Sequence, residues 1–145
     1  MKKMLSLFAL VTVAALFTGC ASGPKYSMVK DTFAPLAQNS GRIYFYRSSA
    51  LGAALNPDVK LNGEVVGTAK AKGFFYADRP AGNYEVETST EVTRRLTFQL
   101  EQGQTRYVRF NVSMGFFVGH VYPELIENAV GQKEIEDCSY TGGKK

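Results

Sequence analysis

From Gly41 onward, apolar and polar residues alternate along the chain. RIYFYR sets Ile43 and Phe45 on one face and Arg42, Tyr44 and Tyr46 on the other, the period of two that a half-buried strand requires. DVKLNGEVVG reads as a hairpin, with Val59 and Leu61 leading in, Asn62-Gly63 turning and Val65-Val66 leading out. Asn-Gly between apolar runs is a strong hairpin signal, because both turn residues must tolerate positive φ. KGFFYADR is a further strand, ended by Pro80-Ala81-Gly82, and NYEVETST sets Tyr84, Val86 and Thr88 against Asn83, Glu85 and Glu87. RRLTFQLEQ presents Leu96, Phe98 and Leu100; QTRYVRFNV answers with Val108, Phe110 and Val112, across a turn at Gln102-Gly103. About seven short strands with close turns and no alternating helices predict an all-β fold, an antiparallel β-sandwich of the immunoglobulin or transthyretin kind. This domain is expected over residues 41–126. Beyond it, ENAVGQKEIEDCSY predicts a short helix with Ala129, Val130 and Ile135 inward, and a disordered tail completes residues 127–145. Gly131 weakens that helix by about 1 kcal/mol relative to alanine.

The N-terminus follows a different pattern. Met1-Lys2-Lys3 precedes an apolar run from Met4 to Phe17, interrupted by Ser6 and Thr12. A spanning helix needs roughly 20 apolar residues, so this run is short; a basic start, an apolar middle and small residues at the end mark a secretory signal. Leu16-Phe17-Thr18-Gly19-Cys20 resembles the bacterial lipobox, in which the cysteine thiol takes a diacylglyceryl group and cleavage falls between Gly19 and Cys20. Phe17 is bulkier than the leucine more common at its place. The other readings are an ordinary signal with an incidental cysteine and a retained signal anchor. On the lipobox reading residues 1–19 are a signal peptide, and residues 20–40, with two prolines and no sustained period, are a lipidated N-terminus and tether. Phe33 and Leu36 are the tether residues able to pack on the domain. By resemblance to enterobacterial sorting, Ala21 after the cysteine directs the protein to the outer membrane.

Charge changes little. The whole chain of 145 residues carries a formal +4; removing residues 1–19 takes Lys2 and Lys3 and no acid, leaving +2. Basic residues are scattered and do not form the stripe of a nucleic-acid binder, so no nucleic acid is expected. The remaining 126 residues suit one domain. With Cys20 lipidated, Cys138 has no intramolecular partner, which leaves a homodimer linked through Cys138 or an idle thiol.

Candidate chemistry is sparse. His120 is the only histidine, whereas catalytic zinc needs about three protein ligands and structural zinc about four; no metal or cofactor is expected. A nucleophile pair with Ser113 or Cys138 is the one catalytic arrangement the sequence offers, set against a structural role for His120 in GFFVGHVY. Glu85 and Glu87 read as the solvated side of a strand, and Glu134, Glu136 and Asp137 as solubilising charge. Tyr44, Tyr46, Tyr107 and Arg109, with Tyr76 nearby, form a candidate binding face, since tyrosine and arginine are enriched at binding hot spots; the same residues also suit a sheet face that receives the tether and the terminal helix. The loops SSALGAALNPD and MGFFVGH are apolar, and Leu51, Leu55, Phe116 and Phe117 are expected to cap the open ends of the sandwich, the other reading being contact with lipid or an envelope protein.

Together the lipobox, GRIYFYR, LNGEVVG, RPAGNYEVE and LEQGQTRYVRF resemble small bacterial lipoproteins that share a β domain of unknown function, over most of residues 41–137. A looser likeness joins the hairpin and pro-gly turn to PEGA-type surface modules, although Arg79-Pro80-Ala81-Gly82 lacks the acidic residue of their name. The resemblance implies a sandwich and no catalytic residues. The expected function is that of a membrane-anchored, non-catalytic envelope module binding envelope proteins or cell-wall polymer. The alternatives are an envelope hydrolase using His120 and a purely structural coat lipoprotein.

Overall fold

Strand β1 (Ser40–Tyr46) is buried on both faces: Ile43 and Phe45 on one, Tyr44 and Tyr46 on the other. In the computed structural model, which describes residues 19–143, that strand sits at the centre of a five-stranded sheet, and each of its faces has its own cover. The remaining strands are β2 (Asp58–Leu61), β3 (Glu64–Thr68), β4 (Gly73–Pro80), β5 (Gly82–Ser89), β6 (Thr93–Leu100), β7 (Thr105–Ser113), β8 (His120–Ile126) and β9 (Ser139–Tyr140). They form two sheets, ordered β8-β7-β1-β4-β9 and β3-β2-β5-β6. The expected sandwich is therefore present, with two departures. The described residues hold nine strands, and β1 pairs with β7, and β4 with β9, in parallel, so the larger sheet is mixed.

Between the sheets lies the core that the alternating pattern predicts. Ile43, Phe45, Phe75, Val108 and Phe110 from the larger sheet meet Val59, Leu61, Val66, Val86 and Leu100 from the smaller. Phe45 stacks on Phe75 at 4.9 Å between ring centroids. Each fully buried side chain of this size contributes roughly 1.5–3 kcal/mol. The β2–β3 hairpin turns where expected, with Asn62 at φ 49° and Gly63 at φ 85°. Asn62 also ties the turn to β5, accepting the Glu85 N–H at 2.7 Å.

The outer face of the larger sheet is covered by the two ends of the chain. Within the expected tether, residues 20–40, residues 20–33 are docked, Phe33 among them as the sequence allows. Helix α1 (Tyr26–Val29) and a 3-10 turn (Lys30–Thr32) lie on this face. Tyr26 packs edge-on to Tyr44 and Phe74, with centroids 5.5 and 5.3 Å away, and Phe33 lies 4.6 Å from Tyr76. The Tyr26 N–H donates to the Cys138 carbonyl at 2.9 Å and the Tyr140 N–H to the Pro24 carbonyl at 2.8 Å, stitching the two ends together. Single aromatic anchors with no repeat carry this contact.

Helix α2 (Asn128–Ile135) completes the cover, with Ile135 fully buried. Val130 and Ala129, expected inward, are exposed. Gly131 takes the inward place: a Cβ there would collide with the Tyr107 ring. The glycine that reads as a helix weakness is what allows close approach to the sheet. Ser139–Tyr140, expected at the end of the helical segment, instead form β9 beside β4, and Thr141, the first residue of the expected tail, donates its N–H to the Phe74 carbonyl at 2.9 Å.

Candidate functional site

The tyrosine face does not offer itself to a partner. Tyr44, Tyr46 and Tyr107 are 6%, 1% and 2% exposed, beneath residues 26–33 and helix α2. Tyr44 stacks on Tyr107 at 5.3 Å, and the Tyr46 hydroxyl donates to Glu134 at 2.6 Å. Arg109 donates to the same carboxylate at 2.7 Å and to Glu124 at 2.9 Å. Burial first, and then the Tyr26 bond, push the Tyr44 hydroxyl up to about 12. The candidate binding face is thus an internal layer, because its hydroxyls and guanidinium find their partners within the chain. Glu134 is no solubilising charge; it is the acceptor that joins Tyr46 and Arg109 to helix α2.

Cys138 belongs to this layer. It is fully buried, its thiol lies 3.8 Å from the Glu134 carbonyl, and burial pushes its pKa up to about 11, the reverse of an activated nucleophile. A disulfide between two copies would require helix α2 to leave the sheet first.

A more distinctive assembly lies at one end of the sandwich. The strand directions bring the β1–β2, β3–β4, β5–β6 and β7–β8 connections to this end, since Tyr46, Thr68, Ser89 and Ser113 finish their strands there. The chain's entry at Gly19–Cys20 joins them. Cys20 forms a parallel bridge with Ala71, the Ala21 N–H donates to the Ala71 carbonyl at 2.9 Å, and a Cβ on Gly19 would stand 2.9 Å from Ala53.

Arg47 organizes these loops. It continues the inward register of Ile43 and Phe45 and is 0% exposed. One guanidinium nitrogen donates to Leu55 and Ala69 carbonyls at 2.6 and 3.0 Å, the other to Leu51 and Gly52 at 2.5 and 2.7 Å. Its Nε has no hydrogen-bond partner among the described residues, and burial lowers its pKa. A planar fork with five donors is what allows one side chain to hold the 51–55 loop against the β3–β4 turn. In the sequence Arg47 shows only as an arginine at an inward position of the β1 alternation. Beside it, a cleft of about 660 Å³ is lined by Ala21, Ser22, Asn56, Lys70, Tyr140 and Gly142, among others.

His120 stands at the same end. Its Nε2 is 3.8 Å from the Glu91 carboxylate, which also accepts the Phe117 N–H at 3.2 Å. Its Nδ1 is buried without a hydrogen-bond partner among the described residues. Ser113 is the ladder partner of His120, yet the ring's polar contact is an acid and not a nucleophile, while Cys138 lies in the separate tyrosine layer. Glu85 and Glu87 pair with Arg95 and Lys60, as a solvated strand face does. Among the described residues no cluster of three His, Cys, Asp or Glu could hold a metal ion, and no helix is long and apolar enough to cross a membrane. The expected signal segment lies outside the described residues except for Gly19.

The loop residues expected to cap this end divide. Leu55 packs against the core. Leu51, Phe116 and Phe117 are 59%, 89% and 84% exposed, the two phenylalanines resting edge-on against each other at 4.6 Å. Exposed to this degree, they do not cap the sandwich as expected.

Comparison with known proteins places this geometry among relatives. The family described as "Protein of unknown function (DUF2846)" matches residues 37–121, from just before β1 into β8. A protein of Haemophilus influenzae described as "Uncharacterized protein" is 29% identical over 140 residues, covering 92% of this chain and 83% of that one. No solved structure matches.

Proposed function

The chain belongs to the DUF2846 family, and from that premise we propose that it is a lipid-anchored module of the bacterial cell envelope, a non-catalytic β-sandwich that works by binding. One observation carries the anchor: the lipobox-like Leu16–Cys20 follows a short apolar run, and its cysteine stands at the edge of the fold, bridged to Ala71. Two or more acyl chains on that cysteine would give stable attachment, each buried methylene contributing about 0.8 kcal/mol.

Because residues 20–33 are docked, the domain would ride close to the bilayer on this reading. The tyrosine layer is unavailable, so a protein or cell-wall partner would be met by the outer face of the β3-β2-β5-β6 sheet or by the loops. Growth with an alkyne-bearing fatty acid tests the anchor. Label is expected on the chain, with a mature N-terminal peptide beginning at a modified Cys20, and both are expected to vanish in Cys20→Ser. An unlabelled wild-type chain, or an N-terminus elsewhere, would overturn it. Crosslinking in the native envelope tests the binding role: a specific partner captured by wild type and lost in Cys20→Ser supports it. Capture of abundant neighbours alone, equal in both, would favour a structural coat lipoprotein.

A further inference from the structure

The large apolar side chains that the fold leaves exposed are not scattered. Among the described residues eight are exposed, and six of them, Leu51, Val92, Met114, Phe116, Phe117 and Val118, lie on the loops at one end of the sandwich. Met28 and Val130 are the other two. Patches of this kind mark contact surfaces. The loops that carry them are built, not loose. Arg47 fixes Leu51 and Gly52 through their carbonyls, and Glu91 holds the Phe117 N–H while reaching His120. Gly119 lies against the 51–55 loop, where a Cβ would come within 2.8 Å of Leu55.

The same end receives the chain from its N-terminus. Cys20 bridges Ala71, Gly19 abuts Ala53, and the apolar run Met4–Phe17 joins the described chain immediately before them. On the anchored reading, the attachment point at Gly19–Cys20 lies beside the 51–55 loop and the β3–β4 turn. Lys70 and Lys72 flank Cys20's bridge partner Ala71, and positive charge at this level suits anionic headgroups. The acid nearest the phenylalanines, Glu91, is turned onto His120 and the Phe117 N–H.

From this placement we infer that the loop end is a membrane-docking surface, in which Met114, Phe116 and Phe117 insert into the bilayer that holds the N-terminal anchor. The inference rests on the anchored reading and adds to it an orientation, with β1 pointing its C-terminal end at the lipid and the Pro80–Ala81 end away. A second insertion point beside the anchor removes the swivel that one attachment leaves.

The chain contains no tryptophan, so Phe117→Trp gives a single reporter in the full-length protein. Ala81→Trp reports the opposite end. Each variant is produced in bacterial membranes, purified, and reconstituted into vesicles of phosphatidylethanolamine and phosphatidylglycerol. Because the Phe117 ring is 84% exposed, the exchange does not disturb the core. The expected result is flotation with the vesicles, a blue shift for Trp at 117, at least twofold quenching by lipids brominated near the headgroup, and protection from aqueous iodide. Trp at 81 is expected to show the reverse. Flotation with Trp at 117 open to iodide and untouched by brominated lipid would overturn the insertion and leave the anchor standing. A blue shift without brominated-lipid quenching would assign the loops to a second copy or a protein partner, and overturns the lipid assignment. A chain that does not float removes both readings.

Discussion

The two faces of the larger sheet are buried by different means. Towards the smaller sheet, Ile43, Phe45, Phe75, Val108 and Phe110 meet another continuous, hydrogen-bonded layer. Towards the outside, Tyr44, Tyr46, Phe74 and Tyr107 meet Tyr26, Ile135 and Cys138, brought by a four-residue helix, an eight-residue helix and a two-residue strand. The apolar residues of the inner face need no polar partners, and the buried polar groups at its end, Arg47 and Thr88, bond to main-chain carbonyls. The outer face must satisfy hydroxyls and a guanidinium, and Glu134 does so for the Tyr46 hydroxyl and, with Glu124, for Arg109. Equal burial thus conceals unequal support: the inner contact joins the two layers that make the domain, whereas the outer cover rests on chain ends able to open by themselves.

The contrast is broken most severely from the inside. Phe45→Ala, in the fully buried ring stack with Phe75 and Phe110, is expected to cost about 3–5 kcal/mol. The loss should appear as one cooperative unfolding transition moved to lower denaturant, with amides of both sheets affected together. Protection retained in the β3-β2-β5-β6 sheet would show the layers to be less coupled than stated.

Gly131→Ala probes the outer cover. Intrinsic helix propensity favours the alanine by about 1 kcal/mol, but its Cβ would enter the space of the Tyr107 ring, and overpacking costs typically about 1–3 kcal/mol. The net is expected to be destabilising and local. Hydrogen exchange should quicken in residues 128–140 and 24–33 while the inter-sheet core keeps its protection. A stabilised protein would mean that helix α2 does not sit on Tyr107.

That position also shows what was legible in the sequence. Period-two alternation depends on one face being apolar and the other polar, so the inner face, the hairpin at Asn62-Gly63 and the sandwich class could be read directly. The outer face could not. Tyrosine and arginine suit a solvated surface, a binding patch and a satisfied interior equally, and only tertiary placement decides among them. The residues that cover it have no common period: Tyr26 and Phe33 come from a one-turn helix and the end of a 3-10 turn, Gly131 and Ile135 from helix α2. The inward position of Arg47 is legible in the alternation, but its role is not, because its partners are main-chain carbonyls, which leave no signature in side-chain identity. The exposure of Phe116 and Phe117 is not legible either, because a sequence gives apolar character without saying how much of the interior is already filled.

Smaller in effect is Tyr46→Phe, which keeps the ring and removes one hydrogen bond. Glu134 retains Arg109, so the expected cost is about 1 kcal/mol, read as a shift in denaturant midpoint with an unchanged slope. A loss several times larger would show that the hydroxyl, and not Arg109, holds helix α2.

A change of pH perturbs the outer face while leaving neutral-pH stability untouched. Burial pushes Cys138 from 9.0 up to about 11 and Tyr44 from 10.0 up to about 12. Both groups are neutral when protonated, and the unfolded chain releases those protons first. Stability is therefore whole below pH 9 and declines as pH rises through the 9 to 12 window, in which the unfolded state binds fewer protons; Tyr46, kept protonated by burial and Glu134, extends the decline beyond it. The fully buried residues between the sheets, among them Ile43, Phe45, Val59 and Val108, have no side chain that titrates there. Hydrogen exchange followed across this window, corrected for its intrinsic pH dependence, should show residues 24–33 and 128–140 opening before strands β2, β5 and β6. Simultaneous opening of both faces would mean that the ends and the sheets unfold as one unit, and would erase the distinction between a core closed by a sheet and one closed by chain ends.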